Sequence, residues 1–412
     1  MGLRLRILVQ LFYPEMVSTG QTMTELGEAL QAEGVAVSVY CGYPTVGDHR
    51  QKVLRRMTHA GIQIERLWST RFPKLNVWGK LLNHLTFSAS VLWRLLWDRE
   101  KDTVLVTTNP PILPILCAFV CVLKRRPYLY LVFDVYPETA VAAGVLSTHG
   151  MLTRLWRRLQ GFALRHAAAV IVIGRCMHAR ISPYMHDLSR LHYIPVWADD
   201  QRIAALSQTA PCVVSPLSPL GGPHGFDWSN SDKIVIGYSG NMARFHDVET
   251  LLAAAECLKD DSRFLFVFVG EGHKRTLVSD AAKKLPNIRL ETYVPRDQLG
   301  ALLRSFSVGV VSLLPGHEGL SVPSKTYGLL AAGCPVLGIL PDTSEIALMI
   351  TSSESGVVVS PGDVSGLIAV FQDRAARPEV WASWGQNARL ASENQYALTR
   401  VAATYKALFE TL

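Results

Sequence analysis

At 412 residues the chain is too long for one compact core and fits two domains of ordinary size. Hydrophobic residues make up 49% and charged residues 18%, globular values that exclude a low-complexity or disordered chain, and mean hydropathy is +0.18. Seven cysteines without a CxxC pair exclude a disulfide framework; Cys117 and Cys121 share a helix face, which reads as packing, in a reducing, cytoplasmic setting.

The formal net charge of +7 calls for an anionic partner. The basic residues form no single nucleic-acid-like run. They gather at 69–80, 124–126 and 154–160, in the half that also carries Trp68, Trp78, Trp93, Trp97 and Trp156. That mixture points to no nucleic acid; it fits either an anionic membrane surface or solvated helices over core tryptophans. Arg4 and Arg6 run straight into a strand-like stretch, so the start does not read as a secretory leader. The longest apolar run, 112–123, is too short to span a bilayer and reads as a buried helix ended by Lys124, Arg125 and Arg126.

In chain order, short β-branched runs alternate with helical patterns, the signature of α/β folds with parallel sheets. Strands are expected near 6–11, 35–40, 62–67, 103–108, 128–133, 169–173 and 192–195. Residues 201–232, rich in Pro, Gly and Ser, read as a linker or loop. A second series follows near 233–238, 264–269, 288–292, 308–312, 336–339 and 356–359, then three helical segments from about 364 onward. The division is therefore 1–200, a linker over 201–232, and 233–392, with a helix at about 393–412 packing back on the first domain. Ligands of such open sheets bind at the carboxyl ends of the strands, so the turns there matter most.

The first such turn, Ser18-Thr19-Gly20, opens an amphipathic helix and offers amides to an anion, or is an ordinary cap. The second strand series begins "IVIGYSGNMARFHDVETLL": Gly240 and Asn241 follow the strand and Arg244 and His246 lie in the turn. It lacks the Gly-Lys-Ser/Thr ending of a P-loop and any GxGxxG, which disfavours a nucleotide triphosphatase or a plain dehydrogenase. Glu271, between Gly270 and Gly272, is placed either to accept ribose hydroxyls or to be solvated. In "GLSVPSKTYGLLAAGCPV" an uncharged helix body over 327–332 has a polar entrance of Ser321, Ser324, Lys325 and Thr326, and amides near Ser324 and Lys325 with the lysine ammonium would cradle a diphosphate. In the first half, Asp134 ends a nearly pure apolar strand, as a structural cap or an active-site group, with Glu138 one turn on; Asn109 sits in "TNPP", a loop stiffened by two prolines.

With "YPE…STGQ…ELGEAL", "TNPP", "FDVYPE", "IPVWAD", "GYSGNM…HDVETLL", "VGEG" and "VPSKTYGLLAAGCPV" in order over nearly the whole chain, the sequence resembles a GT-B glycosyltransferase of the large retaining family 4, nearest the branch tied to O-antigen, colanic-acid and other exopolysaccharide assembly. The resemblance implies two Rossmann-like domains facing across a cleft, with closing helices crossing back to the first. It implies a nucleotide-diphosphate sugar held mainly by the second domain and a glycan or polyprenyl-linked lipid acceptor held by the first, without a cofactor or a required metal. Tyr293 and Val294 lie where relatives hold the base, and Asn109 and Glu138 fall on the acceptor side. Relatives carry an arginine and a lysine where this chain has Asn241 and His246, which leaves Arg244 and Lys325 as replacement cations. They also carry two glutamates where Leu320 and Gly328 stand. Asp134, Arg244 and Lys325 are the expected catalytic residues, and the segment 78–97 is expected either to dock the first domain on the inner face of the cytoplasmic membrane or to form the sheet's outer layer. A nucleotide-sugar 2-epimerase or hydrolase of the same plan, or a catalytically degenerate partner subunit, are the competing readings.

Overall fold

The structure is a computed structural model that describes residues 3–15, 19–44, 53–72, 77–198, 226, 228 and 233–412. Nearly all of the expected 201–232 linker therefore lies outside the described residues. The chain divides into two compact units, the first formed by residues 1–195, 319–321 and 398–412, the second by 196–318 and 322–397.

The first unit is built on an eight-stranded sheet ordered β3-β4-β2-β1-β5-β6-β7-β8. The strands are β1 (Arg4–Leu8), β2 (Ala36–Cys41), β3 (Arg56–His59), β4 (Ile62–Arg66), β5 (Thr103–Thr107), β6 (Tyr128–Val132), β7 (Ala169–Val172) and β8 (Leu191–Tyr193). All pair in parallel except β3, which runs antiparallel to β4 at the edge. The sequence reading missed β3. Its residues, RMTH, show no apolar alternation, and the turn is carried by Ala60 at φ +48° and Gly61 at φ +81° instead of the usual Asn-Gly.

The second unit carries a wholly parallel six-stranded sheet ordered β11-β10-β9-β12-β13-β14, the doubly wound arrangement with its reversal between β9 and β12. Its strands are β9 (Ile234–Ser239), β10 (Phe264–Val269), β11 (Ile288–Glu291), β12 (Val308–Ser312), β13 (Val336–Ile339) and β14 (Gly356–Val359). Several first-unit strands end one to three residues before the expected points, because the chain leaves the ladder as soon as it enters the polar turns.

Three helices line up beside the first sheet: Leu113–Leu123 packs against Val77–Trp97 and against Met151–His166. The helix Leu113–Leu123 is not wholly buried, as its unbroken apolar run predicts; Phe119, Val122 and Leu123 are exposed. The carboxyl end of Val77–Trp97 is anchored by buried Arg6, which pairs with Asp98 at 2.7 Å, with Asp102 at 2.9 Å and with Glu100, while Arg126 reaches Asp98 at 3.1 Å. Burial pushes the Asp98 carboxyl up, but Arg6 and Arg126 outweigh it and hold the group below the ordinary aspartate range. The closing helix Leu398–Glu410 groups with the first unit and packs on helix Thr19–Ala32, with Lys406 Nζ donating to the Glu33 carbonyl at 2.8 Å.

Candidate functional site

In the second unit the turns after β9 and β10 are locked together. The Gly240 amide donates to Val269 O at 2.9 Å, the Met242 amide to Glu271 O at 2.8 Å and the Lys274 amide to Met242 O at 3.0 Å. The approach is so close that a Cβ on Gly270, itself at φ +140°, would lie 2.2 Å from Gly240 O, so only glycine closes this pair of turns. Asp247 ties the next helix, Glu249–Cys257, to the turn by accepting from the Thr250 amide at 3.0 Å and hydroxyl at 2.6 Å.

The helix Lys325–Ala331 starts beside this turn. A Cβ on Gly309 of β12 would fall 2.2 Å from Leu329, so Gly309 lets the helix close onto the sheet and fixes where Lys325 stands. Lys325 Nζ sits 3.7 Å from the ring centroid of Tyr238 and 3.5 Å from Asn241 O. No carboxylate pairs with it among the described residues, and burial lowers its ammonium well below the ordinary lysine range. The Asn241, Ser324 and Lys325 amides make no hydrogen bond among the described residues, whereas the Thr326 and Tyr327 amides turn back to Pro323 O and Ser324 O. A cation without a carboxylate partner and three unspent amides therefore belong to two neighbouring segments, the turn after β9 and the start of the helix Lys325–Ala331. That is the chemistry of a site for a polyanion.

In the first unit the ends of β5 and β6 meet. Buried Thr108 accepts from the Phe133 and Asp134 amides, both at 3.2 Å, and so fixes the backbone that presents Asp134. The Asp134 carboxylate makes no hydrogen bond or ion pair among the described residues; burial pushes it up to about 6, with the Lys80 charge pulling the other way. Asn109 precedes a cis bond to Pro110, and its carbonyl accepts from the Gln10 amide at 3.4 Å.

Comparison with known proteins decides the family. Residues 19–197 match the model described as a glycosyl transferase 4-like domain, and residues 233–373 the one described as glycosyl transferases group 1. The chain belongs to the family 4-like, group 1 glycosyltransferases. It is 30% identical over 278 residues to a Pseudomonas aeruginosa protein named as glycosyltransferase WbjE, a match spanning 67% of this chain and 66% of that one, just under two thirds of its length. It is 23% identical over 381 residues to the colanic acid biosynthesis glycosyl transferase WcaI of Escherichia coli K12, covering 89% of this chain and 91% of that one. Among solved structures, HepE of Anabaena in complex with UDP-glucose superposes with a TM-score of 0.67 at 14% identity, each chain covered in full. The fold is GT-B, as the motifs imply, and the protein is a transferase enzyme.

Within the transferase, the residues singled out from sequence fall into distinct settings. Gly240, Asn241, Ser324 and Lys325 come together as described, and Tyr293, exposed, lays its ring over Gly270. Glu271 is exposed beside them and pairs with Arg275 at 3.1 Å; Val294 is half-buried next to Tyr293. Arg244 is exposed and makes no hydrogen bond or ion pair among the described residues. His246 is buried inside the turn. Its Nδ1 lies 2.8 Å from both the Tyr238 hydroxyl and Asn241 O and 3.3 Å from the Ala243 amide, and burial, reinforced by the Lys325 charge, pushes its pKa down to about 3. It braces the loop as a neutral ring. Thr326 is equally inward, its hydroxyl donating to Pro323 O at 3.1 Å.

Glu138 is committed to Arg157 at 3.1 Å and to the Tyr184 hydroxyl at 2.6 Å. Ser18 lies outside the described residues, Thr19 opens its helix half-buried, and Gly20 is pressed against the preceding turn, where a Cβ would meet Glu15 O at 2.4 Å. Ser321 groups with the first unit, in a segment whose Leu320 carbonyl accepts from the Val135 amide at 2.9 Å. The helix whose uncharged body was expected over 327–332 is Lys325–Ala331 with Ser324 at its cap, so its polar entrance falls where the sequence places it. Sequence reasoning missed Tyr238, Thr108 and Lys80. Tyr238 had a signal, since it is the last large side chain of β9 before Gly240; Thr108 stands next to Asn109 at a strand end and Lys80 in a basic-aromatic run.

Proposed function

We propose that this transferase moves a sugar from a nucleotide-diphosphate sugar to a glycan or lipid-linked acceptor with retention at the anomeric carbon, in the assembly of a cell-surface polysaccharide. The observation that carries the reading is Lys325, a half-buried cation with no carboxylate partner among the described residues, beside three unspent amides. Such a group is matched by a diphosphate, whose charge grows as the sugar–oxygen bond breaks. Lys325 and the Asn241, Ser324 and Lys325 amides take that charge, so the reading calls for no metal and no cofactor. Arg244, exposed on the same turn, is the second cation in reach of a bound anion.

In the reaction the bond from the anomeric carbon to the donor phosphate breaks, a bond from the acceptor hydroxyl oxygen forms on the same face, and the hydroxyl proton passes to the departing phosphate. No enzyme nucleophile is needed. Asp134 orients a sugar hydroxyl or supports the developing positive charge. HepE is known in complex with UDP and with UDP-glucose, which makes a uridine nucleotide the first donor to test, and the likeness to WcaI favours an exopolysaccharide setting.

A thermal-shift screen of nucleotide sugars and free nucleosides tests the donor, since a ligand of the folded state raises the unfolding midpoint by mass action. Stabilisation by a nucleoside diphosphate and by its sugar, but not by the nucleoside, is expected; no stabilisation by any nucleotide would contradict the reading. Retention is checked by the anomeric configuration of the product, and metal independence by turnover that survives a chelator. Donor consumed without an acceptor would point to the hydrolase or epimerase, and no turnover with acceptor-containing extract to the degenerate subunit.

A further inference from the structure

The inner face of the helix Val77–Trp97 changes character along its length. Phe87, Val91 and Leu95 are buried, and the same stripe runs back at helical spacing through His84 to Lys80. Its apolar members form the body of the stripe and its two polar members stand at the amino end. That end is pinned over the carboxyl ends of the strands, where open sheets hold their ligands. Asn83 Oδ1 accepts from the Thr70 hydroxyl at 2.9 Å and the Phe72 amide at 3.0 Å, and the Asn83 carbonyl accepts from the Gln10 side chain, just past β1, at 3.5 Å. Gly42, just past β2, comes so near that a Cβ on it would lie 3.8 Å from the Phe87 ring.

Neither polar residue is spent on the fold. Lys80 is exposed, His84 is half-buried, and neither makes a hydrogen bond or ion pair among the described residues. Asp134 stands at the same strand ends: Thr108, which fixes its amide, precedes Asn109, whose carbonyl accepts from the Gln10 amide at 3.4 Å. The Lys80 charge is felt by both the Asp134 carboxyl and the His84 ring, so the three groups form one cluster. Burial, reinforced by Lys80, pushes His84 down to about 4, which leaves a neutral ring at pH 7. An imidazole and a carboxylate withdrawn from water without partners cost free energy that a bound ligand returns.

We infer that Lys80 and His84 are specificity-determining residues of the transfer, which bind a phosphate of the acceptor beside the hydroxyl that Asp134 holds. The three groups divide the ligand between them. A carboxylate accepts from a hydroxyl and repels an anion, whereas an ammonium and an imidazole N–H donate to one. Lysine is a compact charge with rotatable donors, suited to a phosphate; the flat fork that matches a carboxylate is arginine's. An arriving phosphate also favours the protonated His84 ring, which adds a second positive donor. A lipid phosphate and a free sugar phosphate present the same group, and the test separates them. The inference rests on the reading that the first unit holds the acceptor, and it concerns the inner face of the helix only.

The test is titration of the full chain with glucose 1-phosphate, dihexanoyl phosphatidic acid, glucose and glucuronate. It is followed by nuclear magnetic resonance at the His84 ring proton, assigned by its loss in His84→Gln. A saturable shift with glucose 1-phosphate or with the phosphatidic acid is expected, and none with glucose; the tighter of the two names the source of the phosphate. Lys80→Met should weaken that binding by about tenfold or more, and Lys80→Arg should restore most of it. Both variants should keep the wild-type unfolding midpoint, because Lys80 is exposed and unpaired among the described residues. Lys325→Ala should bind the phosphate probe as the wild type does while losing UDP, so the donor reading and this one can fail separately. The inference would be overturned by binding that survives Lys80→Met or vanishes in Lys325→Ala, by a preference for glucuronate, by an equal shift with glucose, or by no shift with either phosphate.

Discussion

The two units solve opposite problems with the same kind of sheet. In the second unit the polar groups at the strand ends are largely consumed internally: His246, Tyr238 and the glycine turns brace one another, and what is left over is Lys325, the exposed Arg244 and a few amides. In the first unit the strand ends leave a carboxylate, Asp134, without a partner among the described residues, and the outer helices carry apolar and cationic side chains together. A rigid, over-braced loop suits a site that must hold a fixed polyanion in one pose. A carboxylate destabilised by burial, next to an amphiphilic face, suits reaction with a substrate that arrives from elsewhere.

The largest expected effect separates the units by role. Asp134→Asn should lower kcat by roughly 10²–10³-fold while leaving nucleotide affinity unchanged; a fall in nucleotide affinity would blur the division. Lys325→Ala should do the reverse in kind, weakening nucleotide-diphosphate binding by about 2–3 kcal/mol, read by titration calorimetry.

Gly270→Ala should cost about 2 kcal/mol of stability and spoil nucleotide binding with it, because a Cβ there meets Gly240 O and the φ of +140° disfavours any side chain. Denaturant unfolding checks this. A neutral result would show the paired turns to be looser than the geometry requires.

The pH dependences should run in opposite senses. Asp134 ionises near 6 in the folded chain against about 3.9 unfolded, so its charge costs stability above pH 6. Asp134→Asn should therefore gain about 1–2 kcal/mol at pH 7, a gain that disappears below about pH 4. His246, at about 3 folded against about 6.5 unfolded, supports the second unit above pH 6.5 and loses that support as the pH falls toward 3. His246→Gln should flatten the acid limb of the unfolding curve; an unchanged limb would show that the ring is not held neutral.

Much of this was legible before any coordinates. The apolar strands β6, β10 and β12 announce themselves because both faces are covered, and Gly240, Gly270 and Lys325 stand at strand ends where parallel sheets hold their ligands. The edge strand β3 was not legible, since an antiparallel edge with polar residues leaves no periodic trace. The inward roles of His246 and Thr326 could not be read either, because a polar residue in a turn looks the same in sequence whether it braces the loop or faces a ligand. The exposed apolar face was visible only as composition, tryptophan and arginine in one run, and burial was needed to tell core side chains from exposed ones.

The central claim is that Lys325 and the turn amides hold the donor's diphosphate. Calorimetric titration of UDP and of uridine into the wild type and Lys325→Ala tests it most directly. The account predicts that the wild type binds UDP far more tightly than uridine and that the variant nearly abolishes the difference; a variant that keeps the full preference for UDP would contradict it.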